Sequence, residues 1–194
     1  MINSQKEYLE LANQLLKKGT QTAKHPFHQF TIASFNKHSI EQRMVVLRRW
    51  ALKRRSIIFH TDLRAPKVTQ LKENNHCSLL FYSNPDKLQL RFSCVAHIHH
   101  KDRLSNYLYN QTTDSQKKCY AFSKPPSMII PEKTKELWEE SSTEIVKVDP
   151  YENFAACVCN FDKLDLLYLT HEGHVRILYQ WDKYGNLSAE YMIA

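Results

Sequence analysis

The sequence predicts a mainly β fold, in which antiparallel strands form a small barrel and helices flank it. Short runs of β-branched and aromatic residues recur along the chain, separated by polar turn residues. Several runs alternate apolar and polar residues, as strands with one buried face do. The chain has only three glycines in 194 residues, which excludes both a G-x-G-x-x-G loop and a P-loop. A chain of this length can bury a substantial core, and we expect one domain over residues 1–194.

The strand-like runs are separated by turns short enough for hairpins. We expect six or seven strands in hairpin order, which favours a barrel over a sheet with crossover helices. The runs from 43 to 61 are joined by a basic turn and form one predicted hairpin. The strand-like runs cover residues 27–35, 43–50, 56–61, 77–82, 88–98, 154–161, 164–170, 174–181 and 187–193.

Helices are predicted at the N-terminus and between the strands. The first covers residues 4–18, where Ser4 and Glu7 fit a capping box and Gly19 fits the C-terminal end. The further predicted helices cover residues 62–75 and an inserted helical segment at about 101–145.

Positive charge is concentrated in residues 37–67, which hold nine basic and two acidic side chains. The net charge of the whole chain is +7, so the rest of the chain is balanced. This segment favours an anionic partner, either nucleic acid or a phosphorylated small molecule; a solvated basic surface is the alternative. Arg48 and Arg49 would point to opposite faces of a regular strand, so only one of them would serve a given pocket.

The cysteines and the N-terminus indicate a cytoplasmic protein with reduced thiols. The five cysteines contain no C-x-x-C pair, and charged residues stand where a signal peptide needs an apolar run. No metal is expected, because no Cys or carboxylate is spaced to complete a site with His97 and His99.

The stretch from Gln42 to Gln89 carries five motifs in a fixed order. They are RMVVLR from Arg43, a strand end and a basic helix start in IIFHTDLRAPK from Ile57, CSLLFY from Cys77, and LQLR from Leu88. This order resembles the pyridoxamine 5′-phosphate oxidase family, well over residues 26–123 and more loosely over 154–181. The resemblance implies an FMN-binding split β-barrel, antiparallel and Greek-key-like, in a homodimer with FMN at the interface.

The resemblance also implies a cofactor site. Arginine and lysine suit a phosphate dianion, and Arg64 and Lys67, three residues apart, would share one helix face. Gln89 can donate and accept hydrogen bonds at the polar edge of the flavin ring. The FMN-binding residues implied are Arg43, Met44, Val45, Val46, Leu47, Arg48, His60, Thr61, Arg64, Lys67, Gln89 and Arg176.

A substrate-phosphate site is implied at Arg48, Tyr107, Ser115 and His174. Here the sequence departs from the family. Gln111 and Glu172 stand where the family has arginines, and Lys124 falls where it has a Gln-Ser pair that contacts the flavin. Losing a charge-assisted bond to phosphate costs roughly 1.5–3 kcal/mol, so oxidation of pyridoxamine 5′-phosphate itself would be weakened. Loss of the Gln-Ser pair would lower the affinity for FMN.

Three functions follow from these features. The first is an FMN-dependent oxidoreductase that passes a hydride from a small, possibly phosphorylated, amine or alcohol to flavin N5, with no catalytic side chain required. The second is a non-catalytic flavin or vitamin B6 binding protein. The third is a nucleic-acid-binding protein that uses the basic 43–67 hairpin. No membrane segment is expected.

Overall fold

The computed structural model describes residues 4–129 and 148–194. The remainder of the predicted helical insert, residues 130–145, therefore lies outside the described residues. No helix within the two described stretches is long and apolar enough to cross a membrane. The strands are β1 Gln29–Asn36, β2 Ser39–Val46, β3 Arg49–Ala51, β4 Ser56–Asp62, β5 His76–Ser83, β6 Leu88–His99, β7 Phe154–Tyr168, β8 Val175–Trp181 and β9 Leu187–Met192.

Helices flank this sheet, as the sequence predicts. They are α1 Gln5–Gln21, α2 Pro66–Glu73, α3 Arg103–Asn110 and α4 Asp114–Lys117, with a single helical turn at Pro150–Asn153. Three 3₁₀ turns lie at Pro26–His28, Leu52–Arg54 and Lys118–Tyr120.

All the strands belong to one antiparallel sheet with the order β2-β1-β5-β6-β7-β4-β3, and β8 and β9 extend from β7. The two ends of this order, β2 and β3, are consecutive in the chain and are joined only by Leu47 and Arg48. Leu47 N–H donates to the His28 carbonyl and Arg48 N–H to the Ile58 carbonyl, each at 2.8 Å. A two-residue link between opposite edges requires the sheet to curl, which confirms the predicted antiparallel barrel.

Strand β7 divides this barrel. One of its edges pairs with β6 over residues 156–168, while the other pairs with β4 over residues 154–160 and with β8 over 163–168. The register against β6 shifts near Asp162, where the strand bulges. The prediction of two strands, 154–161 and 164–170, is therefore wrong, because the polar Asp162 and Lys163 form a bulge within one 15-residue strand rather than a turn.

The predicted hairpin over 43–61 is also wrong in part. Residues 43–46 belong to β2 and pair with β1, and only residues 49–51 pair with β4. The described residues form nine strands rather than the expected six or seven, and the division of this segment at the link accounts for one of the additional strands.

The core fills the barrel with aromatic side chains from facing strands. Phe30 stacks on Phe81 with ring centroids 4.6 Å apart, and Trp50 stacks on Phe161 at 5.4 Å. Trp50 also donates from Nε1 to Asn13 Oδ1 of α1 at 2.9 Å, which attaches the N-terminal helix to the barrel. A smaller cluster covers the outer face of β4 and β7 beneath α3; it consists of Ile58, Leu108, Tyr120, Phe154 and Ala156.

Helix α1 begins where the capping pattern predicts and ends later than expected. Ser4 Oγ accepts from Glu7 N–H at 3.3 Å, but the helix continues to Gln21. Gly19 is thus an internal residue rather than the end. A Cβ at this position would lie 2.7 Å from the Phe27 carbonyl oxygen, so glycine is required for the close approach of α1 to the Pro26–His28 turn.

We expect Gly19→Ala to destabilise the protein by about 1–3 kcal/mol, because the added Cβ must displace backbone. The direction of the change is informative, because Gly→Ala at an exposed helix position raises the free energy of unfolding by about 1 kcal/mol. Denaturant unfolding measures the difference, and Gln14→Ala, at an exposed position of α1, serves as control with a change within about 0.5 kcal/mol. A neutral or stabilising Gly19→Ala would contradict the close packing.

Candidate functional site

The end of β4 separates two groups of basic side chains. Successive residues of a strand point to opposite faces, and His60 and Thr61 are such a pair. Thr61 faces α2 and contacts Lys67, whereas His60 lines a cavity beneath α3. The structure thus distributes the predicted cofactor residues over the two faces of one strand.

On the α2 side, Arg43, Thr61 and Lys67 form a group that we call the basic cradle. Lys67 lies in the first turn of α2 and donates from Nζ to Thr61 Oγ1 at 3.2 Å. Burial lowers the pKa of Lys67, and the positive charge of Arg43 lowers it further. Within the described residues Lys67 forms no ion pair with a carboxylate. A desolvated cation at a helix N-terminus suits a phosphate group.

Arg43 already has hydrogen-bond partners in the cradle. Its guanidinium donates to Glu41 Oε2 at 3.0 Å and to Gln70 Oε1 at 2.9 Å, and it also contacts Ser34. Hydrogen bonds from Gln70 and Asn36 hold the pKa of Glu41 below its usual range, and Arg43 adds to this effect. Arg43 therefore presents a partly neutralised charge, which leaves Lys67 as the cation with the greater need of an anion.

Arg64 does not share a helix face with Lys67, so that prediction is wrong. Helix α2 starts only at Pro66, because Asp62 Oδ1 accepts from Arg64 N–H at 2.8 Å and forms a turn before it. The Arg64 guanidinium pairs with Asp62 at 2.7 Å and donates to the carbonyls of Phe122 at 3.0 Å and Ser123 at 2.8 Å. Arg64 thus ties the segment after α4 to the end of β4.

On the other side of β4 lies a cavity of about 560 Å³, which we call the arginine cavity. Arg48, Arg49 and Arg54 line it together with His60 and neutral residues, and none of its lining residues in the described part of the chain is acidic. The prediction that only one of Arg48 and Arg49 can serve a pocket is wrong. Because the chain leaves β2 at the link and enters β3 at Arg49, the two residues are not in one regular strand.

His60 is the most perturbed titratable group of this cavity. Burial is the main cause, and Arg48 and Arg49 add to it; together they lower the pKa of His60 to about 3. Both ring nitrogens of His60, and Nε of Arg48, are buried with no hydrogen-bond partner among residues 4–129 and 148–194. The ring packs edge-on against Phe154 with centroids 4.9 Å apart.

Of the four predicted substrate residues, Arg48 lines the arginine cavity and the other three do not. Tyr107 is exposed, and the Arg49 guanidinium lies 5.2 Å from its ring centroid. Ser115 is exposed on α4, whose neighbours Thr113 and Gln116 line the cavity instead. Sequence reasoning missed Arg49, Arg54, Thr112, Thr113 and Gln116 as lining residues. The basic run had marked the two arginines as candidates, whereas nothing local marked the other three.

Gln89, Arg176 and His174 lie far from the cradle. Gln89 and Arg176 both flank Leu167 of β7 in one row across the sheet, and Thr61 pairs with Ala155 of the same strand. Twelve residues of strand span about 40 Å, so one small molecule cannot contact both ends. Arg176 donates to Asp165 at 3.0 and 2.8 Å, and His174 is exposed just before β8.

The remaining predicted residues lie along β2 and the link. Met44 is exposed on the outer face of the barrel, Val45 and Val46 are half-buried, and Leu47 is in the core. The backbone of these residues therefore runs along β2 from Arg43 of the cradle to the link, where Arg48 lines the arginine cavity.

We expect His60 to make stability sensitive to acid. The unfolded chain binds the proton with a pKa near 6.5, whereas the folded protein resists it down to about 3, so the free energy of unfolding falls as the pH drops below 6.5. Between about pH 7 and pH 5 this loss is about 2 kcal/mol. Denaturant unfolding in chloride buffers should show a loss that is larger by about this amount in the native protein than in His60→Gln, and parallel pH profiles would contradict it.

Comparison with known proteins agrees with this fold. Residues 6–100 match the family model for the pyridoxamine 5′-phosphate oxidase FMN-binding domain. A pyridoxamine 5′-phosphate oxidase-related, FMN binding protein from Nostoc punctiforme has 17% identity and a TM-score of 0.78 over 100% of both chains. PhzG from Burkholderia lata, solved in complex with tetrahydrophenazine-1-carboxylic acid, has 14% identity and a TM-score of 0.74 over 96% of this chain and 92% of its own.

A more distant structure shares the same fold. Campylobacter jejuni ChuZ has 9% identity and a TM-score of 0.56, over 99% of this chain and 65% of its own. A comparison with curated protein sequences found no match. At these identities the solved structures establish the split-barrel fold, and the family model adds the cofactor class. Over residues 6–100 the chain carries the FMN-binding domain of the pyridoxamine 5′-phosphate oxidase family, and its fold is a split barrel.

Proposed function

We propose that the protein is an FMN-dependent oxidoreductase that acts on a small amine or alcohol carrying an anionic group, such as a phosphate. The observation that carries this proposal is the position of the two basic sites on either side of β4. The cradle presents Lys67 to one face of the strand, and the arginine cavity opens from the other. A cofactor phosphate would bind at the cradle beside Thr61, and a substrate anion would bind in the arginine cavity beside His60, the preceding residue of β4.

The cradle fits the phosphate of FMN by the chemistry of its donors. Lys67 supplies the charge, Thr61 a hydroxyl, and the first turn of α2 its amide dipoles. When bound, FMN would supply the hydride acceptor. The protein's own residues would bind and orient: the backbone of Val45 to Leu47 would run past the ring, and Arg48 would hold the substrate anion in the cavity. The contacts of Arg64 argue for a structural role rather than for phosphate binding.

A second copy of the chain would complete the cofactor site. Gln89 and Arg176 cannot reach the cradle of their own chain, as their distance along β7 requires, so an FMN that touches Lys67 and Gln89 would lie between two copies. The outer face of β2, β1 and β5 supports such a homodimer, because these three strands carry several exposed apolar side chains. These side chains are Phe35, Ile40, Met44, Leu80 and Tyr82.

The alternatives differ in what the arginine cavity does. Gln111 lines it where the family has an arginine, and the missing charge lowers the affinity for a phosphorylated substrate. This change is compatible with the second candidate function, a flavin or vitamin B6 binding protein without turnover. A nucleic-acid-binding protein is the weakest alternative. Three of the basic residues of the 43–67 segment line a concave cavity, which is unlike the open groove with stacking aromatic side chains that binds single strands.

Lys67→Met should weaken FMN retention, because the change removes the half-buried cation of the cradle. Loss of one charge-assisted contact to phosphate costs roughly 1.5–3 kcal/mol, which lowers affinity about ten- to a hundredfold. Flavin absorbance after FMN addition and dialysis measures it, and Lys72→Met, exposed on the same helix, is the matched control. If the native protein retains no FMN, or if both variants behave alike, the proposed cofactor site is wrong.

The FMN-loaded native protein then distinguishes turnover from binding. Anaerobic addition of pyridoxamine 5′-phosphate bleaches the flavin absorbance if the protein oxidises it. Absence of bleaching with this and with related phosphorylated amines and alcohols would favour the binding protein without turnover.

Mixing two defective variants tests the shared site. We expect Lys67→Met and Gln89→Ala each to weaken FMN retention alone. If one FMN uses Lys67 of one copy and Gln89 of the other, unfolding and refolding the two variants together creates mixed dimers with one intact site, and part of the FMN binding returns. Failure of the mixture to exceed the separately refolded variants would place both residues on the same copy's cofactor.

A further inference from the structure

We propose that the arginine cavity binds a dianionic group together with one proton, and that His60 is the residue that receives the proton. The inference deepens the proposed function by naming the ligand chemistry of the substrate side, and it does not require FMN to be present. It rests on three features of the cavity: its charge, the unpartnered polar atoms in its wall, and the absence of acids from its described lining.

The charge of the cavity comes from two parts of the chain. The link and β3 contribute Arg48 and Arg49, and the turn before β4 contributes Arg54. No carboxylate among the described lining residues compensates them. Three guanidinium groups around one cavity of about 560 Å³ repel each other, and an anion between them removes that repulsion.

The wall of the cavity has hydrogen-bonding atoms without partners. Arg48 Nε and both ring nitrogens of His60 are buried, and none has a partner in residues 4–129 or 148–194. Buried polar atoms in folded proteins nearly always have partners, so these three atoms indicate a polar ligand. Arg48 Nε can only donate, which requires an acceptor such as an anionic oxygen.

His60 is the group whose protonation an anion would change. The charged groups that act on it are Arg48 and Arg49, while Phe154 of β7 and Leu108 of α3 are apolar neighbours in the same region. Tyr120, behind Phe154, adds no charge, because burial raises its pKa to about 12. Without an anion the two guanidinium groups and burial keep the imidazole neutral.

An anion at Arg48 and Arg49 reverses this balance. Its negative charge offsets the guanidinium groups and favours the imidazolium, so a proton moves from solvent to a ring nitrogen of His60 as the anion enters. The protonated ring then donates a hydrogen bond to the anion, as His⁺ does at both nitrogens. Phosphate monoesters and paired carboxylates share this chemistry, and either could be the group on the natural ligand.

Sulfate is a suitable probe, because it remains a dianion throughout the relevant pH range. If bound sulfate restores the ordinary pKa of 6.5 to His60, binding becomes about thirtyfold tighter at about pH 5 than at about pH 7.5. Calorimetry at constant ionic strength in two buffers of different ionisation enthalpy measures both the affinity and the proton uptake. In His60→Gln we expect binding that does not change with pH and takes up no proton.

Three variants locate the effect. Arg48→Gln should abolish the proton-linked sulfate binding, whereas Lys53→Gln, which removes an exposed charge outside the cavity lining, should leave it unchanged. Lys67→Met should also retain the proton-linked binding, because the cradle lies on the other face of β4. Binding that is lost in Lys67→Met would place the anion in the cradle and overturn the proposal, as would pH-independent binding in the native protein.

The two proposals fail separately. If the protein retains no FMN but binds sulfate with proton uptake at His60, the anion site is supported and the proposed oxidoreductase is overturned. If the protein retains FMN but its sulfate affinity depends on pH in the same way in the native and His60→Gln forms, the cofactor site is supported and the proton-linked anion site is overturned.

Discussion

The two-residue link between β2 and β3 is the constraint on which the rest of the structure depends. The opposite edges of the sheet are covalently joined at Leu47 and Arg48, and each amide is bonded to a different part of the barrel, the His28 and Ile58 carbonyls. Leu47 is anchored in the core. The following residue, Arg48, is therefore carried outside the barrel wall, where it lines the arginine cavity. The same two residues therefore close the barrel and position the Arg48 guanidinium in the cavity.

The period-2 pattern predicted much of the barrel, because alternation reports directly which face of a strand is buried. Strand β6 shows this best: Leu88, Leu90, Phe92 and Cys94 are buried as the alternation requires. The link could not be predicted in this way. Leu47 and Arg48 are ordinary strand residues with no turn signal, and their role depends on which distant strands meet there. The same limitation applies to β7, whose bulge contains the polar residues of a turn.

The cradle was easier to predict than the cavity for a physical reason. Thr61 and Lys67 are six residues apart on a strand end and the following helix, so local geometry brings them together. Arg64 lies between them, but the prediction that it shares a helix face with Lys67 is wrong, because the turn at Asp62 delays the start of α2. Gln111 and Thr112 reach the cavity only through the packing of α3 against β4 and β7, which no local pattern encodes.

Strand β4 acts as a partition one residue thick. His60 and Thr61 are neighbours in the chain, yet one belongs to the cavity and the other to the cradle. Their side chains share a backbone that also pairs with Ala155 and Ala156 of β7. A substitution that displaces this backbone alters both compartments at once. Changing the ligand preference of the cavity through β4 therefore requires compensation in the cradle, whereas changes made through α3 and α4 leave the cofactor side untouched.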